Sequence, residues 1–416
     1  MNYNKLFPKN SFIDNYMTFM NNMETATDYD FFAAIWLLSC ACQRNIIVDR
    51  PQLPIQMNFY CIFVAESGIT RKSTAVSTAT KIINKLIEDD PTVALIEGKT
   101  TPEALDEIIA EKSRNTGSGK AIISISELAV FLGLERYNAT MPTLLTDLYD
   151  CPQTRKAGGT LSRGAITQTN VFISFLSAST PSWLHQSVNP NIVAGGFTSR
   201  CLFIVSEQAK RRIAWPSTSV GITIDDLTRQ LKTIKQLCKE ISKISVSEDG
   251  VKAYTSWYLR RNISYDAFTS SFESREADHV LRMAGFLCIN DNSFVIKAAH
   301  VKSAIKIIHD IKYTSAKLFE GTTARTNWMN AIVKLREVLL GAGTETIAKS
   351  VLTRTVRNFI TVSELDALLD VLHECNMIQK FELTQNGRGR PTIVYRATKL
   401  LIAKNANKTI ISKLIG

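Results

Sequence analysis

Short apolar runs alternate with longer amphipathic stretches over the first half of the chain. Each run of about five apolar residues is bounded by polar or turn residues, which predicts a buried strand, and each stretch between two runs predicts a helix. An earlier apolar run, residues 31–42, predicts a buried helix because it falls short of the ~20 residues that cross a bilayer. Strands are predicted at residues 58–65, 92–97, 121–125, 170–178 and 200–206. This alternation predicts an α/β fold in which helices sandwich a parallel sheet.

The pattern changes twice in the second half of the chain. Between residues 222 and 321 the strand signal ends, and amphipathic stretches predict helices. After residue 326, three helical stretches precede two short strands that flank a turn at residues 386–391, which is the plan of a winged helix. We therefore predict a helical lead-in at 1–25, an α/β core at 26–215, an all-α lid at 216–324, a winged-helix domain at 325–400 and a basic tail at 401–416.

The segment between the first predicted strand of the sheet and the next helix reads Phe63-Val-Ala-Glu-Ser-Gly-Ile-Thr-Arg-Lys-Ser-Thr74. A phosphate loop needs this context, because backbone N–H groups and the helix N-terminus wrap the phosphates. Lys72 stands where a lysine reaches the terminal phosphates, and Ser73 where a hydroxyl holds Mg²⁺. The glycines of the usual pattern are replaced by Glu66 and Arg71, so on pattern alone a surface turn is the alternative. The predicted ATP-binding residues are Glu66, Ser67, Gly68, Ile69, Thr70, Arg71, Lys72, Ser73 and Thr74.

Two further segments follow the loop in an order that suits a nucleotide hydrolase. The strand ending at Ile125 is followed by Ser126-Glu127, and Glu127 is placed to polarise an attacking water, although Ser126 replaces the usual aspartate. The strand at 170–178 ends in the hydroxyls of Ser179 and Thr180, which are candidate sensors of the γ-phosphate. Taken singly, each segment also fits an ordinary surface feature.

From about residue 31 to 318 the chain resembles the phage- and plasmid-borne helicase-like P-loop ATPases, some of which are joined to primase domains. In that group the loop often reads Glu-Ser-Gly-x-Arg-Lys-Ser. Residues 66–73 resemble this form but read Glu-Ser-Gly-Ile-Thr-Arg-Lys-Ser, with one residue more between Gly68 and Arg71. The resemblance continues through Leu148-Tyr-Asp-Cys-Pro152 and Thr180-Pro-Ser-Trp183. The resemblance implies an AAA+ ATPase core that binds ATP and Mg²⁺. It also makes the missing glycines a weaker objection to ATP binding.

Three arginines resemble elements of the MCM replicative helicases. Ser199-Arg200 looks like the arginine-finger turn of those proteins, on the edge of the last predicted strand. Arg275, followed seven residues later by Arg282, looks like the helix whose first arginine senses the nucleotide of a neighbouring subunit. The resemblance implies that Arg200 and Arg275 are catalytic in trans and that Arg282 is a sensor. A finger acting in trans requires a ring or filament, and we expect a homo-oligomer, a hexamer.

The charge of the chain predicts a polyanionic partner. There are 49 Lys+Arg against 38 Asp+Glu, and residues 325–416 hold 14 basic and 7 acidic side chains, so +7 of the net +11 lies there. The hairpin predicted at residues 152–166 carries Arg155, Lys156 and Arg163, which suit single-stranded DNA phosphates in a central pore. The predicted contacts of the wing with duplex DNA are Arg388, Arg390 and Arg396.

The expected recognition helix of the winged helix is less basic than its wing. It begins near residue 361, with Ser363 as its predicted cap. It carries Glu364, Asp366 and Asp370, which argue against its lying in a DNA groove. Either the wing makes the DNA contact, or the module binds protein.

The cysteines and the N-terminus favour a cytoplasmic protein with no membrane partner and no zinc. Eight cysteines are scattered without any Cys-x-x-Cys, and the five histidines show no metal-ligand spacing with them. We expect buried free thiols. The first residues lead into no apolar stretch that is typical of a secretory signal.

Together these features favour an ATP-dependent DNA helicase or translocase that acts as a ring in the replication of a mobile genetic element. Because no primase, nuclease or polymerase motif is visible, we expect a primase or polymerase as a partner. Two alternatives remain: an AAA+ initiator or loader that uses ATP as a switch, and a winged-helix DNA-binding regulator.

Overall fold

The structure is a computed structural model of the whole chain. It describes residue 3 and residues 6–132, 140–157, 166–187, 196–209, 212–215, 221–261, 267–319, 324–343, 345–383 and 392–398. Contacts divide the chain into two compact units, Met1–Phe319 and Glu320–Gly416.

The first unit contains helices that flank several short and long strands. Its strands are β1 (Ile47–Val48), β2 (Ile55–Gln56), β3 (Tyr60–Val64), β4 (Val93–Ile96), β5 (Lys120–Ile125), β6 (Thr154–Ala157), β7 (Ile166–Thr169), β8 (Phe172–Ser179), β9 (Leu202–Val205), β10 (Lys243–Val246) and β11 (Val295–Ile296). Its helices are α1 (Phe12–Met20), α2 (Thr27–Cys42), α3 (Lys72–Ile87), α4 (Pro102–Thr116), α5 (Leu128–Leu132), α6 (Met141–Tyr149), α7 (Pro181–Ser187), α8 (Phe197–Arg200), α9 (Ile224–Ile241), α10 (Glu248–Tyr258), α11 (Ala267–Asn290) and α12 (Ala298–Phe319).

A five-stranded parallel sheet with the order β4-β5-β8-β3-β9 forms the centre of this unit. The sheet confirms the predicted α/β fold, and each of its strands lies within two residues of the predicted bounds. β3 and β8 are buried at every position, as expected of strands covered on both faces. One prediction was wrong: Arg200 does not lie on a strand but ends the short helix α8, and β9 begins two residues later.

Alternate side chains of the sheet pack against different sets of helices. Cys61 and Phe63 of β3 face a core that includes α2 and α3, whereas Tyr60 and Ile62 face a core that includes α4, α5 and α6. From β3 the chain passes through α3 to β4, the outermost strand on one side of the sheet. It then returns through the following helices to β5, β8 and finally β9. Right-handed crossovers in opposite directions across a sheet place their helices on opposite faces, as observed.

Helix α2 is the most deeply buried helix of the first core. Fourteen of its 16 residues are buried, among them Trp36, which agrees with the prediction of a buried apolar helix. Its Ser39 hydroxyl donates to the Met57 carbonyl at 2.8 Å and lies 2.9 Å from the Ser174 hydroxyl, so the helix is also tied to the sheet by polar contacts. Within the described part of the chain, no helix combines the length and the hydrophobicity that crossing a membrane requires.

The lid was expected to be entirely helical, and this was wrong. β10 and β11 lie in that region and form a four-stranded sheet with β1 and β2, in the order β11-β10-β1-β2. Strands of two to four residues are too short to show the alternation of apolar and polar residues that predicts a strand. The amphipathic pattern of the neighbouring helices was therefore the only signal in this region. The short extended piece predicted near residue 48 is β1.

The second unit has the element order α13 (Ala324–Gly341), β12 (Ile347–Ala348), α14 (Lys349–Val356), α15 (Val362–Glu374), β13 (Ile378–Leu383) and β14 (Thr392–Ala397). The strands form an antiparallel sheet in the order β12-β14-β13. The predicted cap Ser363 was wrong, because Thr361 caps α15 and forms a reciprocal capping box with Glu364. Residues 384–391, with Arg388 and Arg390, and the predicted tail lie outside the described residues.

Candidate functional site

The carboxyl ends of β3, β5 and β8 meet at one edge of the central sheet. After β3 the chain continues into α3, which packs on one face, and after β8 it continues into α7, whose Leu184 packs on the other. The segments that leave these two neighbouring strands therefore diverge. A crevice between diverging connections, outside the carboxyl ends of parallel strands, is where α/β proteins bind their ligands. The loop between β3 and α3, residues 65–71 (the β3–α3 loop), lies at this point.

Two left-handed residues shape the β3–α3 loop. Gly68 has φ +80°, and Arg71, the last residue before α3, has φ +52°. The side chains of residues 66–69 are exposed, whereas Thr70 is buried. The backbone N–H groups of residues 66–73 donate no hydrogen bond to any described residue. A run of free N–H groups beside a helix N-terminus is the donor set that an oxyanion such as phosphate needs.

The Lys72 side chain folds back across this loop. Its Nζ donates to the carbonyl oxygens of Ala65, at 2.5 Å, and Glu66, at 3.2 Å. Burial lowers the pKa of Lys72, and the negative charges of Glu66 and Glu127 oppose that shift. The structure therefore brings Glu127, from the end of β5, into the electrostatic environment of Lys72.

The remaining predicted residues of this edge lie around the same crevice. Ser73 is exposed in the first turn of α3, and Glu127 is exposed directly after β5. The Ser179 carbonyl accepts from the Ala65 N–H at 3.4 Å, so the end of β8 borders the loop. The Thr180 hydroxyl is already engaged, because it accepts from the Trp183 N–H at 3.3 Å and caps α7.

Sequence reasoning missed two side chains that support the β3–α3 loop from α2 and the segment before it. Tyr29 stacks on Phe63 with ring centroids 4.6 Å apart, its hydroxyl donates to the Val64 carbonyl, and the Thr70 hydroxyl lies 3.4 Å from it. The second is Glu24, which binds the Arg71 guanidinium. Neither residue belongs to a phosphate-loop pattern, so only their position in the fold identifies them.

A separate cluster of arginines lies at the amino edge of the sheet. β9 is paired with β3 so that Leu202 lies opposite Cys61, and Arg200 therefore lies just before the start of both strands. The Asp150 carboxylate bridges Arg200 and Arg275, with N–O distances of 3.3 and 3.5 Å. These two predicted catalytic arginines are thus brought together, but not with Lys72.

Arg282 is held more tightly than a surface arginine. Its Nη1 donates to the Tyr149 hydroxyl at 2.6 Å, and its Nε donates to the Gln56 carbonyl at 2.8 Å. It lines a pocket of about 280 Å³ at the amino edge, together with Arg50 and Arg275. The structure therefore places Arg282 with the arginine cluster and not with Ser179 and Thr180, the other two predicted sensors.

His279 connects the arginine-bearing helices α8 and α11. Its Nε2 lies 2.8 Å from the carbonyl oxygen of Ser199, the residue before Arg200. Burial lowers the pKa of His279 to about 4, and the charge of Arg282 contributes to this shift. The ring is therefore neutral at pH 7, and its N–H holds the end of α8 in place.

The base of the predicted hairpin is the antiparallel pair of β6 and β7. After β7 the chain continues into β8 at the amino edge of the sheet. Arg155 is nearly buried: it forms ion pairs with Asp106 and Asp147 and donates to Gln168. Lys156 is exposed. The charge of Arg155 is thus neutralised within the chain, whereas Lys156 points its charge to solvent. Residues 158–165, including Arg163, lie outside the described residues.

In the second unit, Arg396 lies on β14. Its Nη2 donates to the Gln379 side chain at 2.9 Å, and its guanidinium stacks over the Phe381 ring at 4.9 Å. On the helix α15, Asp366 pairs with Lys349 of α14, so one of its carboxylates is used inside the module.

Seven of the eight cysteines are buried, and burial raises the pKa of Cys40, Cys61 and Cys201, among others. Among the residues that the structure describes, no group of three His, Cys, Asp or Glu side chains is arranged to hold a metal ion. Comparison of the chain with models of known protein families and with curated proteins found no match.

Proposed function

We propose that this chain is a P-loop ATPase of the AAA+ kind that acts on DNA as a homo-oligomeric ring, as a helicase or translocase in the replication of a mobile genetic element. One observation carries the proposal. A run of backbone N–H groups that have no acceptor among the described residues, residues 66–73, lies with Lys72 in the crevice where the chain diverges from β3 and β8. The mobile-element context rests on the resemblance of the loop and the motifs that follow it.

The residues of the crevice fit a magnesium-bound nucleoside triphosphate. The free N–H groups and the Lys72 ammonium offer hydrogen bonds and positive charge to phosphate oxygens. The Ser73 hydroxyl, exposed at the start of α3, would hold Mg²⁺, which supplies charge neutralisation between the phosphates. The Glu127 carboxylate accepts no hydrogen bond from a described residue, so it is available to orient a water.

Arg200 must act on another subunit if it acts on a nucleotide. β3 separates the two edges of the sheet by its five residues, about 16 Å at ~3.3 Å per residue, and Lys72 and Arg200 lie beyond its opposite ends. This separation supports a finger that engages a neighbour's phosphate, as in a ring. In the single chain the Arg200 guanidinium donates to the Gly196 carbonyl and to Asp150, so it would have to exchange these partners for the phosphate.

The second unit supports a DNA-bound protein. A helix, a short strand, two helices and a two-stranded hairpin occur there in the order of a winged helix. Its excess of positive charge fits a polyanion. We therefore assign duplex contact to the wing, with Arg396 at its base.

The test combines nucleotide binding with imaging. Purified protein should bind a fluorescent ATP analogue in the presence of Mg²⁺, hydrolyse ATP faster with single-stranded DNA, and form closed rings in negative-stain images when both ligands are added. Absence of ATP binding would remove the P-loop assignment. Binding without rings or stimulated hydrolysis would exclude the ring motor.

One observation favours the alternative, an initiator, loader or regulator that uses ATP as a switch. The hairpin cation Arg155 is neutralised by Asp106 and Asp147, which leaves fewer charges for a DNA-filled pore. DNA-independent ATP hydrolysis together with specific duplex binding would select this alternative.

A further inference from the structure

The β3–α3 loop contains a residue that its backbone conformation disfavours. Arg71 adopts φ +52° and ψ +41°, a left-handed conformation that glycine adopts without penalty and that costs other residues about 1–2 kcal/mol. The usual phosphate-loop pattern has glycine at this position. The side chain of Arg71 has a defined partner, and that contact offsets part of this cost.

Glu24 is that partner. Its Oε2 accepts from the Arg71 Nε at 3.1 Å and from Nη2 at 2.8 Å, and its Oε1 accepts from the Ile213 N–H at 2.7 Å. The hydrogen bond from the Ile213 N–H lowers the pKa of Glu24, and the hydrogen bond from Arg71 lowers it further. The carboxylate is therefore ionised at neutral pH. One carboxylate thus joins three segments: the link between α1 and α2, the β3–α3 loop, and the segment after β9.

The neighbouring cations Arg71 and Lys72 contact different partners. Lys72 Nζ lies over the loop on the carbonyls of Ala65 and Glu66, whereas the Arg71 guanidinium has two of its nitrogens on Glu24. Lys72 is therefore placed for phosphate, and Arg71 is placed to hold the backbone. The left-handed conformation of Arg71 sets the direction of the backbone where the loop enters α3, so this tether bears on how the N–H groups next to Arg71 are presented to an anion.

We propose that Glu24 is a positioning residue for nucleotide binding, which acts by holding Arg71 and through it the phosphate-accepting conformation of the β3–α3 loop. This inference rests on the proposed nucleotide site. The pair is partly exposed, with side-chain exposures of 56% for Arg71 and 24% for Glu24, so its effect is moderate. We expect loss of this ion pair to weaken the affinity for nucleotide about fivefold, which is in the range that partly exposed ion pairs contribute.

The experiment is a double-mutant cycle on the full chain. Dissociation constants for MANT-ATP with Mg²⁺ are measured for wild type, Glu24→Gln, Arg71→Gly and the double variant, together with thermal unfolding without nucleotide. We expect Glu24→Gln to weaken binding about fivefold in the wild-type chain. Arg71→Gly and the double variant should bind near the wild-type value, because glycine adopts the left-handed conformation without the tether, so the effect of Glu24→Gln should disappear in the Arg71→Gly background. The matched control is Glu107→Gln, which breaks the exposed Arg114–Glu107 ion pair on α4 and should leave MANT-ATP binding at the wild-type value.

Three results would overturn the inference while the wild type still binds nucleotide. Independent effects that multiply in the double variant would mean that Glu24 does not act through Arg71. A loss of more than tenfold for Arg71→Gly with no effect of Glu24→Gln would mean that Arg71 touches the phosphates itself. Lower thermal stability of Glu24→Gln with unchanged MANT-ATP affinity would mean a merely structural contact. If the wild type itself binds no MANT-ATP, the proposed function fails, and the inference fails with it.

Discussion

Arg200 and Lys72 lie at opposite edges of the same parallel sheet, beyond the two ends of β3. The register that pairs Leu202 with Cys61 sets this separation, because it aligns the start of β9 with the start of β3. A single subunit therefore cannot bring both charges to one nucleotide. One edge of the sheet carries the β3–α3 loop with Lys72, and the opposite edge carries Arg200 and Arg275. Under the proposed function, the two edges would serve one nucleotide only where two subunits meet.

Replacing Lys72 with alanine should abolish MANT-ATP binding and leave the fold intact. Under the proposed function the lysine supplies the point charge for the terminal phosphates, whereas the neighbouring cation Arg71 is bound to Glu24. Isothermal titration measures nucleotide binding, and circular dichroism measures whether the fold is intact. Lys81→Ala, an exposed lysine on the same helix, is the control and should bind normally. Unchanged binding by Lys72→Ala would remove the phosphate-loop assignment.

Glu127→Gln should bind ATP and fail to hydrolyse it. The amide retains the size of the carboxylate but cannot accept a proton from the attacking water, so turnover should fall by about 100-fold or more, the scale of general-base catalysis. Single-turnover hydrolysis and ring formation with ATP should be measured on the same sample. Hydrolysis at the wild-type rate would exclude Glu127 as the residue that orients water.

Arg200→Ala should poison its neighbours in mixed assemblies. If the arginine serves the adjacent subunit's nucleotide, each variant subunit inactivates a site that carries an intact Lys72. ATPase activity is measured for Arg200→Ala, for Lys72→Ala, which disables its own site, and for an equal mixture of the two. In the mixture, a site with an intact Lys72 can receive Arg200 from a Lys72→Ala neighbour, so activity should appear that neither variant has alone. No recovery of activity in the mixture would rule out action in trans.

Acidification should destabilise the first unit through His279. Its folded pKa is about 4, against about 6.5 for an unperturbed histidine, so between these values the unfolded chain binds a proton that the folded chain does not. Stability is therefore fully present above pH 6.5 and is lost as the pH falls toward 4, by at most about 3 kcal/mol.

Thermal unfolding between pH 7 and 4.5 measures this loss. His279→Gln should unfold at lower temperature than wild type at pH 7 but should show a shallower decline with pH. His309, whose side chain is 69% exposed, provides the control, and His309→Gln should retain the wild-type decline. Parallel curves for His279→Gln and wild type would contradict the assignment.

Two neighbouring cations of the hairpin should behave differently. Lys156→Ala should lower the salt slope of single-stranded DNA binding by roughly one unit, because it removes one exposed phosphate contact. Arg155→Ala should instead lower thermal stability, since it removes the ion pairs with Asp106 and Asp147, and should change the salt slope little. The opposite pattern would place Arg155 on the DNA.

Replacing Arg388, Arg390 and Arg396 together should weaken duplex binding and preserve basal ATPase activity.

The sequence by itself determined the parallel sheet, the buried helix α2 and the position of the candidate phosphate loop. Continuous apolar runs such as β3 and β8 leave few alternatives to a strand covered on both faces, and their alternation with helices requires parallel pairing. The loop could be found because its residues are contiguous. The cap of α15 was misplaced by two residues, from Thr361 to Ser363, because both residue types are good caps and only the backbone distinguishes them.

Tertiary structure alone decided which distant residues meet. The contacts of Glu24 with Arg71 and of Asp150 with Arg200 and Arg275 join segments that are tens of residues or more apart, and no local pattern carries that information. The same holds for Arg155, whose charge looked free in the sequence and is neutralised by Asp106 and Asp147. The physical reason is that burial and ion pairing depend on the separation of groups in space, whereas periodicity records only which face of one element is covered.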